Sequence, residues 1–244
     1  MNLDRIIAVR NNKTIYRDSD RCLKVFGESY SKADVLNEAL NQAIAEQTGL
    51  RVPKILEVTT VNSRWTIISE YIKGDTLEQL MNQNPGKANE YIERLADIQI
   101  NIQNQNCPLL NKLKDKLDNS IKKTDLPATI RFDLYSKLEN MSKTVKTCHG
   151  DLNPSNIVIQ SNSLAYITDW SHAAKGSPNA DAARTFLWLL YNMDENSAEQ
   201  YLKQFCKKSS TDIFLIKQWI PIVAAATLPK ANAAEREFLR SKII

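Results

Sequence analysis

Asp151, Asn156 and Asp169 are the side chains of this sequence best suited to chemistry. The first two lie in His149-Gly150-Asp151-Leu152-Asn153-Pro154-Ser155-Asn156, which runs into an apolar strand at Ile157-Val158-Ile159. Asp169 ends a second apolar strand, thirteen residues past Asn156, and is followed by Trp170. All three side chains carry oxygen. Magnesium takes hard oxygen ligands and keeps several waters and phosphate oxygens in its shell, so Asn156 and Asp169 can hold Mg²⁺. Asp151, five residues before Asn156 on the same loop, can take a proton from an attacking hydroxyl. A base and a two-ligand magnesium site together supply the division of labour that phosphoryl transfer needs.

The elements that must position these groups fall into two blocks. Residues 5–10, 13–17 and 21–26 read as short strands rich in β-branched and apolar residues, with Asn11-Asn12 as a hairpin turn. Val35, Leu36, Ala39, Leu40, Ala43 and Ile44 recur at three and four, which predicts a helix over 32–48 closed by Gly49. Strands are expected at 54–61 and 65–72, with Asn62-Ser63 between them. After Gly74 the pattern turns helical. Asp75 with Glu78 three residues on predicts a capping box for a helix at 77–82, followed by helices at 88–103, 110–121 and 130–142. Short strands return at 156–160 and 164–168, and helices close the chain at 181–191, 198–206 and 211–227, the last kinked or broken at Pro221. The chain thus reads as an α+β protein with a strand-rich lobe, 1–73, and a mostly helical lobe, 74–244. A cleft between two such lobes is the default place for a ligand.

Composition narrows the function classes. Charged residues make up 25% and apolar residues 43%, ordinary for a soluble globular chain, and a net charge of +4 is too small to suggest nucleic-acid binding. No apolar stretch reaches the ~18 residues of a membrane span. Cys22, Cys107, Cys148 and Cys206 form no CxxC pair and read as reduced thiols of a cytoplasmic protein. His149 reads as a residue that hydrogen-bonds the loop backbone, and Asp181 as one that ties the loop to a helix. Trp188, Tyr191 and Trp219 could box a quaternary amine, but Trp188 and Tyr191, at helical spacing among Phe186, Leu187 and Leu190, read as core packing.

The run H-G-D-x-x-x-x-N followed by I-x-D-W resembles the catalytic core of the protein-kinase-like superfamily, most closely its aminoglycoside phosphotransferase and choline kinase branch. Protein kinases usually carry H-R-D-L-K-x-x-N and D-F-G. Here Gly150, Asn153 and Trp170 replace three of those residues and no A-P-E follows, which points to a small-molecule kinase. The resemblance covers about residues 15 to 190 and implies a two-lobed kinase-like fold that uses ATP, or GTP, with Mg²⁺. It implies that Lys24 holds the α and β phosphates and pairs with a helix glutamate, Glu38, with Glu46 as the rival. The segment Ile68–Gly74 looks like the family's hinge: the Glu70 carbonyl and the Ile72 amide would receive adenine, with Ser69 as gatekeeper. Cys22 would roof the base, and Val158 or Ile159 would floor it. Gly176-Ser177-Pro178 and Asp181-Ala182-Ala183-Arg184 resemble the G-D-P…D-x-A signature, with Ser177 in place of the usual Asp. No Gly-rich loop is present; Arg10-Asn11-Asn12-Lys13 stands in its place.

The acceptor implied is the hydroxyl of a small molecule: a sugar, an amino alcohol or an aminoglycoside-like compound. Residues 1–73 carry 11 basic and 9 acidic side chains, leaving 21 and 19 for the rest, so no acidic lobe for a polycation stands out. The alternatives are a nucleotide-binding pseudokinase of the same fold and a protein kinase.

Overall fold

The computed structural model describes residues 5–10 and 12–243. The chain opens with β1 (Ile6–Arg10), β2 (Lys13–Asp18), β3 (Arg21–Phe26), α1 (Lys32–Glu46), β4 (Ile55–Val61) and β5 (Arg64–Glu70). Next come β6 (Asp75–Thr76), α2 (Leu77–Gln83), α3 (Ala88–Gln103), α4 (Leu113–Lys122), α5 (Ala128–Asn140) and β7 (Lys146–Cys148). The remainder is β8 (Ile157–Ile159), β9 (Ala165–Ile167), β10 (Ala174–Gly176), α6 (Pro178–Asn192), α7 (Glu195–Ser209), α8 (Ile213–Lys217), α9 (Ile220–Thr227) and α10 (Ala233–Arg240). The fold is α+β, and its packing divides it into two compact units: Met1–Leu80 with Pro154–His172, and Met81–Asn153 with Ala173–Ile244.

The first unit is built on an antiparallel sheet ordered β1-β2-β3-β5-β4. Asn62 and Ser63, at φ 50 and 62, form the tight β4–β5 turn with both central residues left-handed, the twist that suits a two-residue hairpin. Asn12 is also left-handed, at φ 64; its expected turn partner Asn11 lies outside the described residues. Helix α1 starts with a full capping box, in which Ser31 Oγ accepts from the Asp34 amide and Asp34 accepts from the Ser31 amide. Its apolar face, Val35 and Ala39, packs with Phe26 and Ile67 under Tyr30, Ile55, Val58 and Trp65. Three buried polar residues share that helix, Glu38, Asn41 and Gln42, and each is satisfied. Gln42 donates to the Pro53 carbonyl at 2.7 Å and Asn41 to the Trp170 carbonyl at 3.1 Å. A smaller sheet, β6-β8-β9, belongs to the same unit.

The second unit is mainly helical. Helix α3 packs on α7, and α6 packs on α7 and α9. The pair β10-β7 places the strand entering His149-Gly150-Asp151 beside Ala174–Gly176.

Four expectations change. The capping box after Gly74 is Thr76–Gln79 rather than Asp75–Glu78: the Gln79 amide donates to Thr76 Oγ1, and the Thr76 amide donates to Gln79 Oε1. Asp75 pairs with Ile159 in β6–β8 instead. Helix α4 begins at Leu113, not 110. The stretch 211–227 is two helices separated at Gln218-Trp219, and Pro221 sits in the first turn of α9, where its missing N–H costs nothing. That break interrupts Ile213–Lys230, which by length and mean hydropathy of 1.2 alone could cross a membrane. The pair β7–β10 and helix α10 have no counterpart in the sequence reading, being too short for periodicity to reveal.

Gly74 lies between β5 and β6, and a Cβ there would meet the Ile159 carbonyl oxygen at 2.2 Å. Backbone cannot yield as a side chain does. Gly74→Ala should therefore lower stability by about 1–3 kcal/mol, the range for overpacking, read as a lower Tm in thermal unfolding; an unchanged Tm would contradict this close approach.

Candidate functional site

In the first unit the sheet and α1 meet in a cluster of buried charge. Glu38 is 3% exposed and lies between two lysines. Lys24 Nζ is 2.6 Å from its Oε1 and Lys13 Nζ is 2.8 Å from its Oε2. Lys24 also reaches Asp169 Oδ1 at 3.3 Å. The β2–β3 register sets Lys13 opposite Phe26, and the Lys13 ammonium lies over the Phe26 and Tyr30 rings. Burial by itself would lower Lys24, but Asp169 and then Glu38 outweigh it and hold the ammonium above the ordinary lysine range. Burial would likewise raise Asp169. Lys24 first, then Lys13 and His172, reverse this and hold the carboxyl well below the usual carboxylate range. Both groups are ionised at neutral pH. Glu46, the rival partner, accepts instead from the Ile55 amide at 2.9 Å.

Asp169 has a left-handed backbone, φ 61, which costs a non-glycine residue energy and is found at functional sites. Trp170, fully buried, fixes the turn by donating from Nε1 to the Ile167 carbonyl. The Thr168 amide and hydroxyl both donate to the Asn156 carbonyl, at 2.9 and 3.1 Å, so the Asn156 backbone is tied to the residue that precedes Asp169. The Asn156 amide oxygen and the Asp169 carboxylate are hard donors of the kind that Mg²⁺ takes when it shares its shell with water and phosphate. Among the described residues no cluster of three or more His, Cys, Asp or Glu side chains offers another metal site.

The remaining nucleotide candidates belong to the same unit. Cys22 pairs in register with Ser69, and burial pushes its thiol up against the opposing influence of Lys24 and Ser69. In β8 the alternation leaves Val158 half-buried while Ile157 and Ile159 are buried, so Val158 and not Ile159 faces away from the core. Glu70 ends β5, where its amide donates to the Lys54 carbonyl. Ile72 follows beyond the strand, and the Tyr71 amide between them donates to the Asp20 carbonyl.

The second unit holds the loop with Asp151. Gly150 has φ 80, a conformation that only glycine adopts without strain. Its amide donates to Asp181 Oδ1 at 2.7 Å. Asp181 Oδ2 accepts from Gln99 at 2.9 Å and Gln103 at 3.3 Å, and the Tyr201 hydroxyl donates to Gln99 Oε1. Thr185, one turn past Asp181, donates to the Leu152 carbonyl at 2.7 Å. His149 is fully buried, and its Nδ1 faces the Asp151 amide at 3.4 Å. Asn153 Nδ2 donates to the Asp151 carbonyl. Arg184 Nη2 lies 2.8 Å from Asp151 Oδ1.

Sequence reading thus missed Lys13, Arg184 and the Gln99–Gln103–Tyr201 support of Asp181. Arg184 could have been found: three residues after Asp181 on a helix, it shares that residue's face. Gln99 and Gln103, at four-residue spacing in α3, carried no signal, since glutamines on a helix usually face solvent.

The chain matches the model of the phosphotransferase enzyme family (APH) over residues 5–213. Similar solved structures include a choline/ethanolamine kinase family protein from Mesorhizobium loti, 17% identical, with a TM-score of 0.59 over 100% of this chain and 86% of that one. Choline kinase LicA from Streptococcus pneumoniae is 15% identical, with a TM-score of 0.66 over 99% and 86%. Aminoglycoside phosphotransferase APH(4)-Ia is 14% identical, with a TM-score of 0.72 over 98% and 92%. No curated protein sequence matches.

Asp181 accepts from three donors, and each buried donor left unpaired costs about 1–3 kcal/mol. Asp181→Ala should lower the unfolding free energy in urea by at least about 2 kcal/mol. Ser177 Oγ, buried with no partner among the described residues, is the contrast: Ser177→Ala should cost nothing. Equal losses for the two variants would contradict the role given to Asp181.

Proposed function

Since the chain belongs to the phosphotransferase enzyme family, we propose that it is a magnesium-dependent kinase that moves the γ-phosphate of ATP, or GTP, to a hydroxyl of a small molecule. The observation that carries this reading is the Lys13–Glu38–Lys24–Asp169 cluster. A buried carboxylate holding two lysines is costly to maintain for stability alone, and it suits a lysine that must meet phosphate oxygens. Solved neighbours support the nucleotide: APH(4)-Ia variants are known in ternary complexes with hygromycin B and either ADP or AMP-PNP.

In this reading Lys24 binds the α and β phosphates while Glu38 fixes its ammonium. Asn156 and Asp169 would hold Mg²⁺, which would neutralise phosphate charge. The Glu70 carbonyl and the Ile72 amide receive the base between Cys22 and Val158. Asp151 accepts the proton of the acceptor hydroxyl as its oxygen bonds to the γ-phosphorus and the bond from that phosphorus to the β–γ bridging oxygen breaks. His149 and Asp181 hold the loop that carries Asp151. The four cysteines are free thiols, which fits a reducing cytoplasm.

The test is ADP release from Mg-ATP across aminoglycosides, choline, ethanolamine, hexoses, amino sugars and homoserine. One acceptor should lift the rate well above background, and Asp151→Ala should abolish that turnover, a loss of at least about 10²-fold for a general base, while Mg-ATP binding persists. Equal turnover by Asp151→Ala would refute the role of the base. Absence of Mg-ATP binding by the unaltered chain would refute the kinase reading.

A further inference from the structure

Arg184 is a charged group that the reaction above leaves without a task. It lies on α6 in the same unit as Asp151, and its side chain is 17% exposed. A guanidinium carries five N–H donors. Its one partner among the described residues is the Asp151 carboxylate at 2.8 Å. Its other donors meet no second carboxylate among the described residues. A cation largely withdrawn from water with a single partner is poorly compensated, and a planar fork of free donors is matched by carboxylate or phosphate oxygens. These donors stand beside the carboxylate to which an acceptor hydroxyl must come.

Two acids of this unit, Asp181 and Asp194, are engaged elsewhere. Asp181 is consumed by Gly150, Gln99 and Gln103. Asp194 caps α7, accepting from the amide and the hydroxyl of Ser197. Asp151 and Arg184 together are neutral, whereas a polycationic acceptor calls for an excess of carboxylates.

We propose that Arg184 anchors an anionic group of the acceptor, so that the molecule phosphorylated carries a carboxylate or phosphate close to its reactive hydroxyl. This rests on the kinase reading of Asp151. The test compares acceptors of one skeleton and different charge: glycerol, glycerate, glycerol 3-phosphate and serinol, then glucose, gluconate, glucose 6-phosphate and glucosamine. The comparison within each set also separates carboxylate from phosphate. An anionic member should exceed its neutral partner in kcat/KM by about tenfold or more, the worth of a charge-assisted hydrogen bond. Arg184→Gln should collapse that ratio to within about twofold, and Arg184→Lys should keep part of it. Because the ratio cancels any general loss from a displaced Asp151, a variant that slows all members equally would overturn the proposal, as would a preference for the neutral or cationic member. If no acceptor turns over, the kinase reading is at fault, and a titration without turnover decides the anion site. Glycerate, gluconate and inorganic phosphate are added to the ¹⁵N-labelled chain with Mg-ADP. Movement of a guanidinium resonance that is missing in Arg184→Gln supports the site, and a resonance that none of them moves overturns it.

Discussion

The first unit depends on one carboxylate held between two ammonium groups. Glu38 is nearly sealed from water, and removing one member of such a pair leaves an uncompensated buried charge, which costs about 3–5 kcal/mol. Helix α1 must therefore present Glu38 to the β2–β3 hairpin at a fixed height. The same helix then has no freedom elsewhere: Asn41, three residues on, takes the Trp170 carbonyl, and Gln42 takes the Pro53 carbonyl. The Glu38 clasp thereby sets the place of the turn that carries Asp169, and Asp169 returns the constraint by reaching Lys24. Lys24, Glu38 and Asp169 form a closed loop of dependence, and each has a partner that would be stranded without it.

The second unit is organised around a different acid. Asp181 spends both oxygens inside the protein, one on the Gly150 amide and the other on two glutamines of α3. Tyr201 extends the chain by donating to Gln99, and burial, followed by the charge of Asp181, pushes its phenol well above the ordinary range. The left-handed Gly150 is thus pinned from behind, and Asp151 emerges from a loop whose backbone is fixed on both sides, by Asp181 and by Thr185. Two acids of this unit take opposite roles because of their surroundings: Asp181 is buried and bonded on both oxygens, whereas Asp151 keeps partial exposure beside Arg184.

Much of this was readable from residue types. The H-G-D-x-x-x-x-N run and the I-x-D-W that follows named Asp151, Asn156 and Asp169, the family resemblance added Lys24 and Glu38, and the structure joins Lys24, Glu38 and Asp169 in one cluster. Period-based reading also located α1, α3 and the five strands of the first sheet. It failed where a short element lacks period, as in β6, β7 and β10, and where two caps compete. Asp75–Glu78 and Thr76–Gln79 have the same spacing, and strand pairing of Asp75 with Ile159 decides between them. Lys13 was hidden for another reason. Its importance comes from strand register, which brings it over Phe26 and toward a helix 25 residues away, and register is not visible in a run of Lys-Thr-Ile-Tyr. The same holds for Arg184, whose meaning lies in the carboxylate it meets.

Calorimetric titration of Mg-ATP into the unaltered chain and into a folded Glu38→Gln variant tests the Glu38 clasp most directly. If the clasp prepares Lys24 for phosphate, the unaltered chain binds one Mg-ATP, a chelator weakens the binding, and Glu38→Gln loses about tenfold or more in affinity, the worth of a charge-assisted contact. Equal affinity in the two proteins, or no affinity in either, would contradict it.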